Sequence, residues 1–284
     1  MSEKNLRIIP KLEIKNNNLV KGINLEGLRA LGNANIFAHY YYNNGADEII
    51  YQDVVASLYG KNSLTEFIRE TAKKIFIPLT VGGGLRTNED IKKVLRAGAD
   101  KVSINSIAFS DLNFIKRAVK EFGSSTICIN IEAKINEKKN YEAYYENGRT
   151  SSGIAIKDWI KIIQDISVGE ISLTSVDQDG LGNGPDLQLL DSIKDQINVP
   201  FIYGGGIRNY NQIIELTKKY DFITGISLSS LLHYSALRLV KDNESNQGGN
   251  FEFINTHNEH KKFKDHDIKL IKKKLLEENI NCRN

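Results

Sequence analysis

The feature that most limits what this chain can fold into is a long internal repeat. Residues 77–86 read IPLTVGGGLR and residues 199–208 read VPFIYGGGIR, a spacing of 122. A second pair, IPKLEIK (9–15) and INIEAK (129–134), sets Glu13 and Glu132 119 residues apart. A unit of that length is no solenoid turn. It is the length of four strand-helix units, so the chain reads as two copies of half an eight-stranded barrel.

The rest of the pattern agrees. Eight β-branched runs alternate with amphipathic stretches: 7–14, 48–54, 77–81, 101–104, 126–132, 170–176, 199–203 and 222–226. Apolar stripes at helical spacing fill 64–75, 88–99 and 112–123, behind the capping residues Ser63, Thr87 and Asp111. Eight parallel strands each followed by a helix close a (β/α)8 TIM barrel, fold class α/β. An open doubly wound sheet would need fewer and longer strand blocks. The 284 residues suit one such domain, 1–284. Two segments stand outside the repeat. Residues 133–152 form a polar loop after strand 5, expected as a hairpin turning at Asn147-Gly148. Residues 241–263 form an insert before the last helix, expected as a surface loop carrying Phe251, Phe253 and Phe263.

Composition excludes several classes. A net charge of +3 spread along the chain is too small to argue for nucleic acid. The lysines of 261–274 alternate with acids, as on a solvated helix face. Cys128 lies within a strand and Cys282 near the end, so no disulfide framework is implied. The start, MSEKNLRIIP, has no signal-like core, and no apolar run reaches membrane-spanning length. The expectation is a cytoplasmic protein with no membrane partner, no cofactor and no metal.

Candidate chemistry sits at strand ends. Gly82, Gly83 and Gly84, repeated as Gly204, Gly205 and Gly206, close strands and open helices. Such turns point successive N–H groups into one concavity that holds phosphate oxygens. Residues 103–106 (SINS, with Ser103 and Asn105) and 225–229 (GISLS, with Gly225 and Ser227) supply the small residues beside them. Two phosphate sites across one mouth imply an elongated bisphosphate. Between them Glu13 and Glu132, on opposed strands, suit general acid–base work. Asp53, Asp100 and Asp177 stand at or near other strand termini.

RIIPKLEIK, LVKG (19–22), VGGGLR, AGADKVSIN (97–105) and LTSVDQDG (173–180) resemble the cyclase subunit of imidazole glycerol phosphate synthase, from Arg7 to about Ser235. The resemblance implies a lyase/cyclase barrel with a glutaminase partner on its N-terminal face. Ammonia would pass through the barrel and add to a bisphosphorylated ribulosyl intermediate at the C-terminal face. It further implies an ammonia gate of Arg7, Glu48, Lys101 and Glu170, a substrate loop bearing Lys21, and the phosphate glycines above. The chain departs from that family where both central acids are glutamates rather than aspartates. One methylene moves a carboxylate by about 1.5 Å, and a misplacement near 1 Å can cost about a hundredfold. KNNNLVKG also lacks the family's acidic–glycine–basic loop. The favoured expectation is therefore an ammonia-handling paralogue serving acetamidino-sugar synthesis for surface polysaccharide, with a downstream amidotransferase as a candidate partner on the C-terminal face. The alternatives are a histidine-pathway cyclase with Glu13 as general base and Glu132 as general acid, and a non-catalytic phosphate-binding scaffold. The gate and LTSVDQDG argue against the isomerase of the same substrate.

Overall fold

Twelve strands run through the computed structural model, which describes residues 5–55, 65–241, 263 and 266–283. Most of the 241–263 insert, including Phe251 and Phe253, lies outside the described residues, as does Ser63. In chain order the strands are β1 (Arg7–Lys15), β2 (Asn18–Ile23), β3 (Glu26–Asn33), β4 (Ile49–Asp53), β5 (Leu79–Gly82) and β6 (Lys101–Ile104). They continue as β7 (Ile127–Ile135), β8 (Tyr141–Tyr145), β9 (Thr150–Ala155), β10 (Glu170–Ser175), β11 (Phe201–Gly204) and β12 (Ile223–Leu228). Eight of them, β1, β4, β5, β6, β7, β10, β11 and β12, pair in parallel in that order, and β12 returns to β1. The result is a closed (β/α)8 barrel.

Parallel strands covered by helices must be apolar on their outer faces. Ile8, Leu12, Tyr51, Val81, Val102 and Ile129 accordingly join the main core beneath the helices. The helices begin where short polar side chains can satisfy orphan N–H groups. Thr87 accepts from the Asp90 amide while the Asp90 carboxylate answers the Thr87 amide, which opens the helix Asn88–Ala97. Asp111 caps Leu112–Phe122 through the Phe114 amide. The helix expected over 64–75 is described over Thr65–Ala72.

The two halves also share a device that the repeat in the sequence hides. β1 and β7, each nine residues long, outrun their barrel neighbours and bend into antiparallel ribbons, β2–β3 and β8–β9. The second ribbon turns between Tyr145 and Thr150, with Asn147 and Gly148 at φ of 61° and 70°. The first replaces what reads in sequence as an open loop. The glycine turns match in conformation as well. Gly83 and Gly205 have φ of 104° and 108°, and each lies against the carbonyl of the residue ending a neighbouring strand, Asp53 or Ser175. A side chain at either would be strained and would collide with that carbonyl.

The last helix, Ile268–Glu277, is tied to the barrel floor by one buried carboxylate. Asp47 accepts from the Ile8 amide and from Lys272 Nζ, both at 2.8 Å. Asp47→Ala would leave a buried lysine and a buried amide without partners, at a cost of about 3–5 kcal/mol. Urea unfolding should show that loss, and Lys272→Met in the same chain should restore part of it.

Candidate functional site

The inward side chains of β1 define the levels of the barrel. Alternation turns Arg7, Ile9, Lys11 and Glu13 to the interior, from floor to mouth. At the floor, Arg7 donates to Glu48 at 2.8 Å and to Glu170 at 2.5 Å. Lys101 donates to the same two carboxylates, both at 2.9 Å. Each acid thus bridges both bases, and the four close a ring. The Thr80 hydroxyl adds a bond to Glu48, and Thr224 accepts from Arg7. Burial works against charge on Arg7 and Lys101, but the two carboxylates outweigh it and hold both protonated. Above the ring, Ile9, Ile50 and Ile202 form a small apolar cluster separate from the main core.

At the mouth the two glutamates have different surroundings. Glu13 is buried against Lys21 Nζ at 3.1 Å, and Lys21 also donates to Asp179 at 2.7 Å. Burial pushes the Glu13 carboxyl up, Asp179 adds to this, and Lys21 opposes both. Lys21, fully buried, stays protonated because two carboxylates outweigh its desolvation. This bridge latches the first ribbon to the loop after β10, and Asn24 reinforces it through the Asp179 and Val176 carbonyls. Lys21, expected in a mobile loop, is instead the pin of a closed ribbon. Glu132 makes no ion pair among the described residues. It accepts the Gly148 amide at 2.7 Å from the turn of the second ribbon. Burial pushes its carboxyl up to about 7, against the pull of that amide, Lys11 and Asn105.

Two clefts open on either side. The larger, about 310 Å³, is lined by Asp53, Gly83, Gly84, Ser103, Asn105 and Glu132, with Phe109 and Tyr145 stacked at its wall. The narrower, about 20 Å³, is lined by Gly204, Gly205, Gly206, Ser227, Glu13 and Asp179. Each glycine turn therefore shares a cleft with one of the two mouth glutamates. Gln52 Oε1 and Asn105 Oδ1, from side chains lining the larger cleft, are buried with no hydrogen-bond donor among the described residues.

Four expected positions fall elsewhere. Gly82 lies under Gln52 and Ser103 rather than on the cleft wall. Gly225 pairs with Arg7 and Ile202 and packs against Ile9, two residues below the cleft. Asp177 accepts the Ile135 amide at 2.7 Å and braces the second ribbon. Asp100 sits at the floor, where it accepts the Leu79 amide. Conversely, sequence reasoning missed Asp179, whose role depends on the ribbon reaching it, and Lys11, which lines the narrower cleft. Among the described residues no cluster of His, Cys, Asp and Glu suits a metal ion, and no helix is long and apolar enough to cross a membrane.

The histidine biosynthesis protein family matches residues 7–238. The chain is similar to imidazole glycerol phosphate synthase subunit HisF of Legionella pneumophila, 45% identical over 203 residues, covering 72% of this chain and 96% of the relative. It is 40% identical to the subunit HisF of Lactococcus lactis subsp. cremoris (strain MG1363) over 229 residues, 80% of this chain and 88% of that one. With the subunit HisF of Streptococcus sanguinis (strain SK36) the identity is 35% over 246 residues, 87% and 97% of the two chains.

The Glu132 environment has a measurable sign. The folded chain holds this proton to about pH 7, whereas an unfolded glutamate releases it near about 4.3. The folded state therefore binds the extra proton between those values, and this contribution to stability is lost as pH rises through them. The slope is at most about 1.4 kcal/mol per pH unit. Glu132→Gln should gain stability relative to the unaltered chain between pH 5 and pH 8 in urea unfolding. A constant difference across that range would mean that Glu132 titrates as if exposed.

Proposed function

Since the chain belongs to the histidine biosynthesis protein family and is a member of the imidazole glycerol phosphate synthase cyclase family, we propose that it is the subunit that receives ammonia through the barrel and uses it at the C-terminal mouth. The closed ring of Arg7, Glu48, Lys101 and Glu170 is the observation that carries this reading. Four charges on a barrel floor are costly unless paired, and packing alone would favour apolar residues there. A paired plug beneath the apolar layer of Ile9, Ile50 and Ile202 suits a regulated entrance. Ser172, whose hydroxyl has no hydrogen-bond partner among the described residues, lies on β10 between the ring residue Glu170 and Thr174, as a polar step along that route.

The glutaminase partner would dock on the floor. Phe76 stands 80% exposed there, beside a cleft of about 340 Å³ lined by Ile75, Ile77, Pro78 and Leu79. Asp100 lines the same cleft, one residue from the ring member Lys101. An exposed aromatic next to the entrance is what a docking partner would cover.

At the mouth, Glu132 is the acid–base residue, because a carboxyl pushed up to about 7 exchanges a proton readily near neutral pH. Glu13, pinned by Lys21, would act once the first ribbon lifts. The glycine turns would hold the two phosphates of a bisphosphorylated ribulosyl intermediate, one in each cleft. The reaction is ammonia addition, cleavage and closure of the imidazole ring. The relatives' names favour this histidine-pathway reading over delivery of ammonia for acetamidino-sugar synthesis. The second reading keeps one observation in its favour: both mouth acids are glutamates, and one of them is locked in an ion pair.

Complementation of a histidine auxotroph lacking the cyclase separates the two. Growth supports the cyclase, and failure by a correctly folded chain supports the amidination paralogue. In the assembled complex, Glu170→Ala should lower product formed per glutamine hydrolysed by about tenfold, the effect of ~1.4 kcal/mol on a barrier. An unchanged ratio would remove the ring from the ammonia route.

A further inference from the structure

Among the described residues, five cations are buried or largely buried inside this barrel or against its floor, and four of them touch a carboxylate. Arg7 and Lys101 share two carboxylates, Lys21 shares two others, and Lys272 is held by Asp47. Lys11 is the exception. It is 6% exposed, yet among the described residues no carboxylate lies within 4.0 Å of its ammonium, and Glu13 and Glu132 feel its charge only from farther off. Its partners are neutral: Thr174 Oγ1 at 3.0 Å and Asn130 Oδ1 at 3.4 Å. Those bonds occupy two of three N–H donors, and the third has no acceptor among the described residues. A buried charge without a contacting counter-ion is costly, so this position is poorly explained by folding alone.

Its place in the barrel says what is missing. Lys11 follows Ile9 and precedes Glu13 on the inward face of β1, and it lines the narrower cleft with Glu13 and Thr174. Thr174 is the register partner of Glu132 across β10 and β7. Asn130 is the next inward residue below Glu132. The ammonium thus stands near the barrel axis, below and between the two mouth acids. The glycine turns that would take phosphates lie at the rims of the clefts.

We propose that Lys11 is a substrate-binding residue, and that its counter-charge comes from the ligand as an electron-rich oxygen in the middle of a bisphosphorylated compound. A carbonyl, or the alkoxide or enolate oxygen that develops from it, fits the free N–H donor. A fixed ammonium in a water-poor site stabilises charge growing on such an oxygen. Glu132 would move protons while Lys11 holds the oxygen. This rests on the function proposed above for the bisphosphate, but it adds a recognition element at the centre of the ligand rather than at its ends.

The test uses the full chain. Isothermal titration compares inorganic phosphate with the bisphosphorylated ribulosyl intermediate, for the unaltered chain and for Lys11→Met. Losing one charge-assisted hydrogen bond should weaken the intermediate by about 10- to 100-fold, while phosphate affinity stays within about twofold. Lys11→Met should also unfold at a higher urea concentration than the unaltered chain, because an unpaired buried charge is gone. The Lys11 Nζ resonance in 15N-lysine-labelled, unaltered protein should move with the intermediate and stay fixed with phosphate alone. Equal affinity of Lys11→Met for the intermediate, or an unmoved Nζ resonance at saturation, would overturn the role of Lys11 and leave the function standing. Failure of the unaltered chain to bind the intermediate would overturn both.

Discussion

A closed parallel barrel has no edge, so every side chain that its strands turn inward must find a partner inside the ring or stay unpaired. That constraint organises the rest of this molecule. At the floor it brings Arg7, Glu48, Lys101 and Glu170 into mutual contact. One level up, it leaves Ile9, Ile50 and Ile202 to pack only with one another. Higher still, it confines Lys11 with Asn130 and Thr174. The mouth acids are then satisfied from outside the barrel, by the two ribbons that extend β1 and β7.

The ribbons show how duplication and divergence meet. Both grow from the first strand of a half-barrel, and both bring a group down onto the glutamate of that strand. One brings an ammonium and the other a backbone amide. A fully buried ion pair with Lys21 and Asp179 fixes Glu13. A single amide leaves Glu132 with a proton to exchange. Two positions that are equivalent in sequence thus have unequal chemistry, and the larger cleft accompanies the freer acid.

Much of this was legible in the sequence, for a physical reason. Strand order and the glycine turns depend on short-range patterning repeated twice, and repetition amplifies a weak local signal, whereas the floor ring entered only through the family resemblance. The matching φ of Gly83 and Gly205 is the backbone form of the same GGG text. What escaped reading depends on distant partners. Lys21 reads as a loop lysine until Asp179, 158 residues away, is seen to meet it. Lys11, between Pro10 and Leu12, reads as an ordinary strand position until closure assigns its face. Gly225 sits in a promising run of small residues, yet register sets it beside Arg7 and below the cleft. Asp100 and Asp177 are strand-end acids by position, but each is consumed by a backbone amide. Spacing alone cannot distinguish an acid facing a cleft from one bracing a loop.

The floor ring is neutral in sum but not in orientation. Its cations keep 24% and 18% of their side-chain surface open, whereas its acids keep only 2% and 6%. Viewed from below, the plug therefore shows its positive half and hides its negative half. On the proposed ammonia route, a charged nitrogen species approaching from that side would meet like charge before any carboxylate, while an uncharged one would meet no such barrier. On that route such a plug would discriminate by protonation state before opening, and a barrel with the same four residues turned the other way up would favour the ion instead.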